Sequence, residues 1–373
     1  MRRVCLEVFQ TIMNKMRLAI IGCGGMAKSH ARRFERALER VEIVAAVDVV
    51  EERARGVAEL FPGARWATSY RDVLDDCEAV LLVLPHHLHH PIGMDCLEQG
   101  KHVLLEKPMA NSEFECLELI RASLETERVL MIAYCMRFHP LVTRMRQLLE
   151  ERVYGETFQV SIWTEQLTQY PPDHWASSAK TLGGGQLFSH GCHYIDLLLW
   201  FLGRPAQGTH LGTNCGTPWM EREGTSNVAI EFDGGALGYH FGTWGARGTR
   251  LGYSFHAHCT EGMLEARFAT GELILHHRGK EESLLTTEAE QHHMQKPTEV
   301  ELLHFLDCIE SGSKPLTDGP GSLQGLRTIW RLYQAEENRR VANLRGLGLD
   351  QVNKFGYLIP DEDPALTPLD DIS

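Results

Sequence analysis

No stretch of this sequence stays apolar for the roughly 20 residues needed to cross a bilayer. A representative apolar run, Ala79 to Pro85, has the length of a buried strand. Net positive charge is missing too: 37 Lys and Arg stand against 50 Asp and Glu, a formal charge of -13. That argues against a nucleic-acid partner, because phosphate binding needs clustered cations, and against an anionic membrane surface. The ten cysteines form no C-x-x-C pair. In a chain of 373 residues this reads as free thiols in a reducing compartment, so a cytoplasmic location is expected. The basic start, MRRVCLEVFQTIMNK, is broken by Glu7, Gln10 and Asn14 and has no small-x-small cleavage site, which weighs against a secretory signal. Residues 1–15 read as an N-terminal extension. No internal repeat is present.

What is there begins with alternation. Apolar runs at 17–21, 41–47, 79–84, 103–105 and 129–134 are separated by helical patterns, the last of them opened by a capping box of Ser112 and Glu115. Nearly continuous apolar strands between helices predict a parallel sheet covered on both faces. After Arg137 the pattern changes. A helix is predicted over 140–151, then half-buried strands at 156–164, 226–232, 236–244, 251–259, 262–269 and 272–276. Helices at 298–311 and 320–337 are expected to close that second domain. The reading is an α/β N-terminal Rossmann domain, a doubly wound parallel sheet over 16–137. It is followed over 138–341 by an α+β domain with a large, mostly antiparallel open sheet. Residues 342–373 form a C-terminal arm, extended or partly disordered.

Gly22-Cys23-Gly24-Gly25-Met26-Ala27 fits G-x-G-x-x-A between a strand and an amphipathic helix. The first glycine permits a tight turn, the second lets a pyrophosphate approach the backbone, and Ala27 allows close helix–strand packing. Asp48 ends the second strand, where a carboxylate accepts hydrogen bonds from a ribose diol and repels a 2′-phosphate. NAD is therefore expected over NADP, with Arg53 as the residue that argues the other way.

Further segments carry a resemblance: LPHHLHH (84–90), GKHVLLEKP (100–108), AYCMRFHP (133–140) and GGGQLFSHGCHYIDLLLWFLG (183–203). With the glycine turn, they occur in the order found in the glucose–fructose oxidoreductase/inositol dehydrogenase (Gfo/Idh/MocA) family, which the chain resembles from about residue 16 to 340. The resemblance implies NAD(P), a sugar or polyol substrate, and self-association through the open sheet as a homodimer or homotetramer. It implies Lys107 at the reacting oxygen and His193 as the proton carrier. An ammonium there stabilises developing alkoxide charge, and histidine is the usual proton acceptor. Leu84, Pro85, His86, His89 and Glu106 join the cofactor set of Gly22, Gly24, Gly25, Met26, Ala27 and Asp48. Arg137, Trp175, Ser189, His190 and Asp196 are placed on the substrate side, Asp196 in an orienting or structural role. Arg137 has the alternative of an interdomain ion pair. The spacing of His86, His87, His89 and His90 invites a metal reading, but the cofactor role already accounts for this loop, and no metal is expected.

One position departs from the family pattern. Ser189 stands where many of its dehydrogenases carry Asp, which removes a charge from the usual Lys–Asp–His trio. The main reading is an NAD-dependent oxidoreductase acting on a secondary alcohol of a sugar, glycoside or cyclitol. Ser189 motivates one alternative, an NAD-dependent glycoside-cleaving enzyme that oxidises transiently and then eliminates. The other is a non-catalytic dinucleotide-sensing regulator, against which Lys107 and His193 both count.

Overall fold

The computed structural model describes residues 15–287 and 296–347. Two sheets organise them. The first joins β1 (Met16–Ile21), β2 (Val41–Val47), β3 (Arg65–Ala67), β4 (Ala79–Leu82), β5 (His102–Leu105) and β6 (Leu130–Ile132), all parallel, in the order β3-β2-β1-β4-β5-β6. This is the doubly wound order, in which ligands bind beyond the carboxyl ends of the strands at the switch between β1 and β4. Its covering helices are α1 (Gly25–Ala31), α2 (Glu51–Ala58), α3 (His89–Glu98) and α4 (Glu113–Glu125). The predicted capping box is present: Glu115 N–H donates to Ser112 Oγ, and Ser112 N–H to the Glu115 carboxylate. α1 is shorter than its apolar pattern, ending at Ala31, although Phe34 and Ala37 beyond it still reach the core.

α5 (Pro140–Glu150) leads into the second sheet, where α6 (Ala179–Leu182) and α7 (Cys192–Leu202) follow the first strand. That sheet comprises β7 (Thr157–Glu165), β8 (Pro205–Thr213), β9 (Thr225–Phe232), β10 (Leu237–Thr243), β11 (Tyr253–Cys259), β12 (Gly262–Arg267), β13 (Glu272–His277), β14 (Lys280–Thr286) and β15 (Ala342–Asn343). Its order is β14-β13-β12-β11-β7-β10-β9-β8-β15, antiparallel except where β10 runs beside β7. Alternation in the sequence sets the faces. Val160, Ile162, Val228, Ile230, Phe255 and Ala257 are buried. The alternate residues Trp163, Tyr239 and Phe241 form a partly exposed aromatic row on the other face.

The last two helices, α8 (Thr298–Ser311) and α9 (Gly319–Glu337), correct one expectation. α8 does not close the second domain. Leu302, Phe305 and Leu306 pack into the core formed by β1, β2 and α1, because that face of the parallel sheet has too little helix of its own. α9 lies between the two halves, and Thr317 just before it accepts a hydrogen bond from Ile132 N–H. Of the expected C-terminal arm, Ala342 to Leu347 are described. Ala342, Leu344 and Leu347 are buried, with Ala342 and Asn343 paired to β8. The rest of the arm, and residues 1–14, lie outside the described residues.

Candidate active site

A cavity of about 680 Å³ opens at the carboxyl edge of the parallel sheet and is walled on its far side by the second domain. On the near side are Met26, Val83, Leu84, His86, Glu106 and Lys107. Gly22 makes the turn after β1 with φ +91°, and a Cβ there would collide with the Val83 carbonyl. The positions a Cβ would take at Gly24 and Gly25 face open space. No side chain caps the start of α1, and Ala27 is fully buried beneath the turn. A bare backbone cradle of this kind fits a dinucleotide pyrophosphate.

Asp48 braces that cradle. One carboxylate oxygen accepts from Cys23 N–H at 2.9 Å and the other from Val50 N–H at 2.9 Å. Each oxygen has a further lone pair for a ribose hydroxyl. Burial, with Asp48 nearby, pushes the Cys23 thiol up to about 12, so this cysteine is inert.

The histidines of 86–90 diverge. His86 Nδ1 lies 2.8 Å from the Leu182 carbonyl, and its ring meets Trp175 edge-on at 4.8 Å. His89 spans the carbonyls of Pro108 (2.7 Å) and Leu84 (2.9 Å), tying the Leu84-Pro85 segment to the Lys107-Pro108 turn. His90 faces Glu118 and His87 is exposed. Among the described residues, no group of three or more His, Cys, Asp or Glu is arranged to hold a metal.

Glu106 is buried against His30 at 2.9 Å. Burial alone would raise its pKa, but the His30 hydrogen bond and the charges of His30 and Lys107 overcome this and hold it down at about 2. Lys107 Nζ donates to the Ser189 carbonyl at 3.0 Å. Among the described residues, Lys107 has no carboxylate partner within salt-bridge distance.

The facing wall hangs on a π-type helical turn, Leu187–Gly191, that runs directly into α7. Tyr333 and Glu223 set its start. The Tyr333 hydroxyl accepts from Gly185 and Phe188 N–H groups and donates to Glu223 at 2.5 Å, and Leu187 N–H also donates to Glu223. A Cβ at Gly185 would collide with the Glu223 carboxylate, so this close approach requires glycine at 185. Such turns recur at functional sites, and this one presents Ser189 and His190 to the cavity.

The two histidines of this segment differ. His190 lines the cavity, with Nε2 3.1 Å from the Tyr253 hydroxyl and 3.4 Å from that of Tyr194, and Nδ1 3.3 Å from Gln186 Nε2. His193 does not line it. Its ring is buried 5.6 Å from that of Tyr134, and neither nitrogen has a hydrogen-bond partner. Burial, then the charge of Lys107, holds both imidazoles well below the usual pKa, hence neutral.

Two substrate-side expectations are corrected. Arg137 and Asp196 do not reach the cavity but bind each other, Nε and Nη2 to the two carboxylate oxygens, both at 2.7 Å. Arg137 also donates to the Leu316 carbonyl and lies over Trp200. Fork geometry and burial favour this pairing over exposure to a ligand, which is the ion pair foreseen as the alternative for Arg137.

Sequence reasoning missed most of the aromatic wall. Tyr170 and Trp175 arrive on the loop after β7, and Trp244, Tyr253 and Phe268 come from strand ends. Tyr170 stacks on His174 at 4.5 Å and 4° and meets Trp244 edge-on at 5.8 Å. The Trp244 Nε1–H is buried without a partner. Gln166 and Lys296 were missed as well. Pro171-Pro172 beside Tyr170 marked a loop, but no local pattern marked Trp244 or Lys296.

The parallel sheet and the glycine cradle at its carboxyl edge define a two-domain chain whose first half is a Rossmann fold of the dinucleotide-binding kind. Residues 16–134 match the family described as "Oxidoreductase family, NAD-binding Rossmann fold", and residues 142–265 match the GFO/IDH/MocA C-terminal domain. The chain belongs to the Gfo/Idh/MocA family. It is 28% identical over 227 residues to inositol 2-dehydrogenase 2 of Saccharopolyspora erythraea. That match covers 60% of this chain and 65% of the relative, just under two thirds of its length. It is 24% identical to the scyllo-inositol 2-dehydrogenase (NAD(+)) of Bacillus subtilis, over 81% of this chain and 89% of that one. A levoglucosan dehydrogenase solved with NADH and levoglucosan superposes with a TM-score of 0.81 at 19% identity, covering 89% of this chain and all (100%) of that one; at that identity it speaks to the fold alone. Among the described residues, no helix is long and apolar enough to cross a membrane.

Proposed function

We propose that the protein moves a hydride between NAD and a secondary alcohol carbon of a sugar, glycoside or cyclitol, in the cytoplasm. NAD supplies the hydride acceptor or donor; the chain supplies alignment and charge. The carrying observation is the Lys107 ammonium at the cavity edge, without an acid partner among the described residues; its charge is felt by the buried His193 imidazole, whose two nitrogens are unengaged. Lys107 polarises the substrate oxygen and stabilises its charge as the proton leaves. His193 takes that proton. A neutral imidazole has the lone pair this needs, and the nitrogens of His190 are already engaged by protein partners. Ser189 offers a hydroxyl to a neighbouring substrate hydroxyl, and His190 with Trp175 shapes the wall.

The cofactor set is Gly22, Gly24, Gly25, Met26, Ala27, Asp48, Leu84, Pro85, His86, His89, Glu106 and Lys107. Asp48 favours NAD over NADP. The substrate class follows from the far wall: Tyr170, Trp175 and Trp244 offer aromatic surface to the C–H face of a ring, and the unpaired Trp244 N–H offers one donor. The inositols in the relatives' names agree with such a ligand. The row of Trp163, Tyr239 and Phe241 is the surface proposed for self-association as a homodimer or homotetramer.

A panel of sugars, glycosides and inositols, incubated with NAD or NADP and followed by NADH absorbance and product mass, tests the reading. NADH formed in step with a ketose or ketocyclitol supports it. Cleavage of a glycoside without NADH release, or no turnover across the panel despite NAD binding, removes it.

A further inference from the structure

Lys296 enters α8 beside Pro297, and its ammonium lies 3.7 Å from the Met26 sulfur; both residues line the cavity. A thioether is a weak acceptor, so this contact does not satisfy the charge. Among the described residues, no carboxylate pairs with Lys296. Two acids lie within its electrostatic reach, and neither neutralises it. Glu106 is bonded to His30. Glu301 is fully buried with both oxygens unpartnered, and burial, then the Glu106 charge, raise its pKa well above the usual carboxylate value against the pull of Lys296, so its charged form is disfavoured. Lys107, the other ammonium of the cavity, has a carbonyl and no acid. Among the described residues, two cations therefore face one ionised carboxylate that is already engaged.

We infer that Lys296 binds an anionic oxygen of the dinucleotide pyrophosphate, reaching from the C-terminal part of the chain to the glycine cradle. Position selects this anion. Met26 directly follows Gly24 and Gly25, whose Cβ positions face open space, and in this sheet order the pyrophosphate lies at that turn. Lys107 stands further along the sheet edge, at the end of β5, beside Ser189. The two lysines thus divide the work: Lys107 serves the reacting oxygen and Lys296 retains the dinucleotide. This inference rests on the dinucleotide site of the family, and within that site it assigns a residue outside the glycine motif.

The test uses the full chain with Lys296→Met and Lys296→Arg, with thermal melting to establish that both are folded. Binding of NAD, ADP-ribose, adenosine and a uronic acid is measured at low and high salt. Lys296→Met is expected to weaken NAD and ADP-ribose alike by about tenfold, the loss of one charge-assisted contact. Adenosine binding should not change, and the salt dependence of NAD binding should flatten. Lys296→Arg should retain affinity within about threefold. NAD and ADP-ribose affinities within about twofold of wild type would overturn the assignment. So would a loss confined to acidic sugars, which would give Lys296 to a substrate carboxylate. Failure of the wild-type chain to bind NAD is read separately, in the unmutated protein, and would remove the dinucleotide reading itself.

Discussion

On the nucleotide side of the cavity, Asp48, His86, His89 and Glu106 are each held by protein partners, whereas on the facing wall Trp244 Nε1, and behind that wall both nitrogens of His193, are buried with none among the described residues. A buried polar group left unpaired costs roughly 1–3 kcal/mol. The nucleotide edge is thus preorganised, its hydrogen bonds spent on holding the backbone in shape. The substrate wall keeps unspent capacity, which a hydroxyl-rich ring is suited to satisfy. The contrast teaches where each half's specificity resides: in backbone geometry on one side, in side-chain donors and acceptors on the other.

Lys107 is the point where the two sides meet, and its removal is the largest expected effect. Lys107→Met should lower turnover by about 10³-fold, the scale seen when a preorganised donor to a developing oxyanion is lost. NAD affinity should stay within about threefold, because Asp48 and the glycine cradle do not depend on this amine. Single-turnover kinetics alongside NAD titration separate the two. A parallel collapse of NAD binding would erase the division between the walls.

The preorganised side can be attacked through His30. His30→Ala strips the partner from a buried carboxylate, a change that costs on the order of 3 kcal/mol, read as a shift in the urea midpoint. The pH dependence has a definite sign. Glu106 is depressed from 4.5 to about 2, so its contribution is fully present above about pH 4.5 and is lost as pH falls toward 2. The gap between wild type and His30→Ala should therefore narrow over that window. A gap that widens on acidification would contradict the assignment of Glu106 as the ionised, braced partner.

The same contrast explains what was legible in the sequence. The nucleotide half was readable because its chemistry is local: a strand, a glycine turn and a helix are contiguous, and Asp48 and Lys107 each end an apolar run. Arg65–Ala67 escaped notice as a strand because two of its three residues are exposed at the sheet edge. Lys280–Thr286 escaped because its outward polar residues show no apolar alternation. Pro205–Thr213 carries a proline and two glycines, which read as loop. The substrate wall is non-local. Tyr170, Trp244, Tyr253 and Lys296 come from four separate stretches that meet through strand pairing and the return of α8 across the first domain. Asp196 sits one helical turn beyond His193, a spacing that suggested a role toward the site. In the fold that face of α7 turns to Arg137, and the ion pair takes both partners away from the cavity.

His190 on the π-type turn and His193 at the start of α7 sharpen the comparison on the second-domain side. His193→Ala should lower turnover by about 10²-fold, as for loss of a general base, and should also cost about 2 kcal/mol or more of stability, because the ring is buried against Tyr134 and its loss leaves a cavity. His190→Ala removes a ring held by Tyr253, Tyr194 and Gln186, so it should act first on substrate KM and on thermal stability, with turnover at saturation falling about tenfold or less. The acid limb of the wild-type profile should lie well below pH 6.5, since burial and Lys107 hold both imidazoles neutral. If His190→Ala instead showed the larger fall in turnover at saturation and abolished that acid limb while His193→Ala kept it, the proton would travel through the engaged imidazole. The unpaired nitrogens of His193 would then reflect packing against Tyr134 rather than readiness for a ligand.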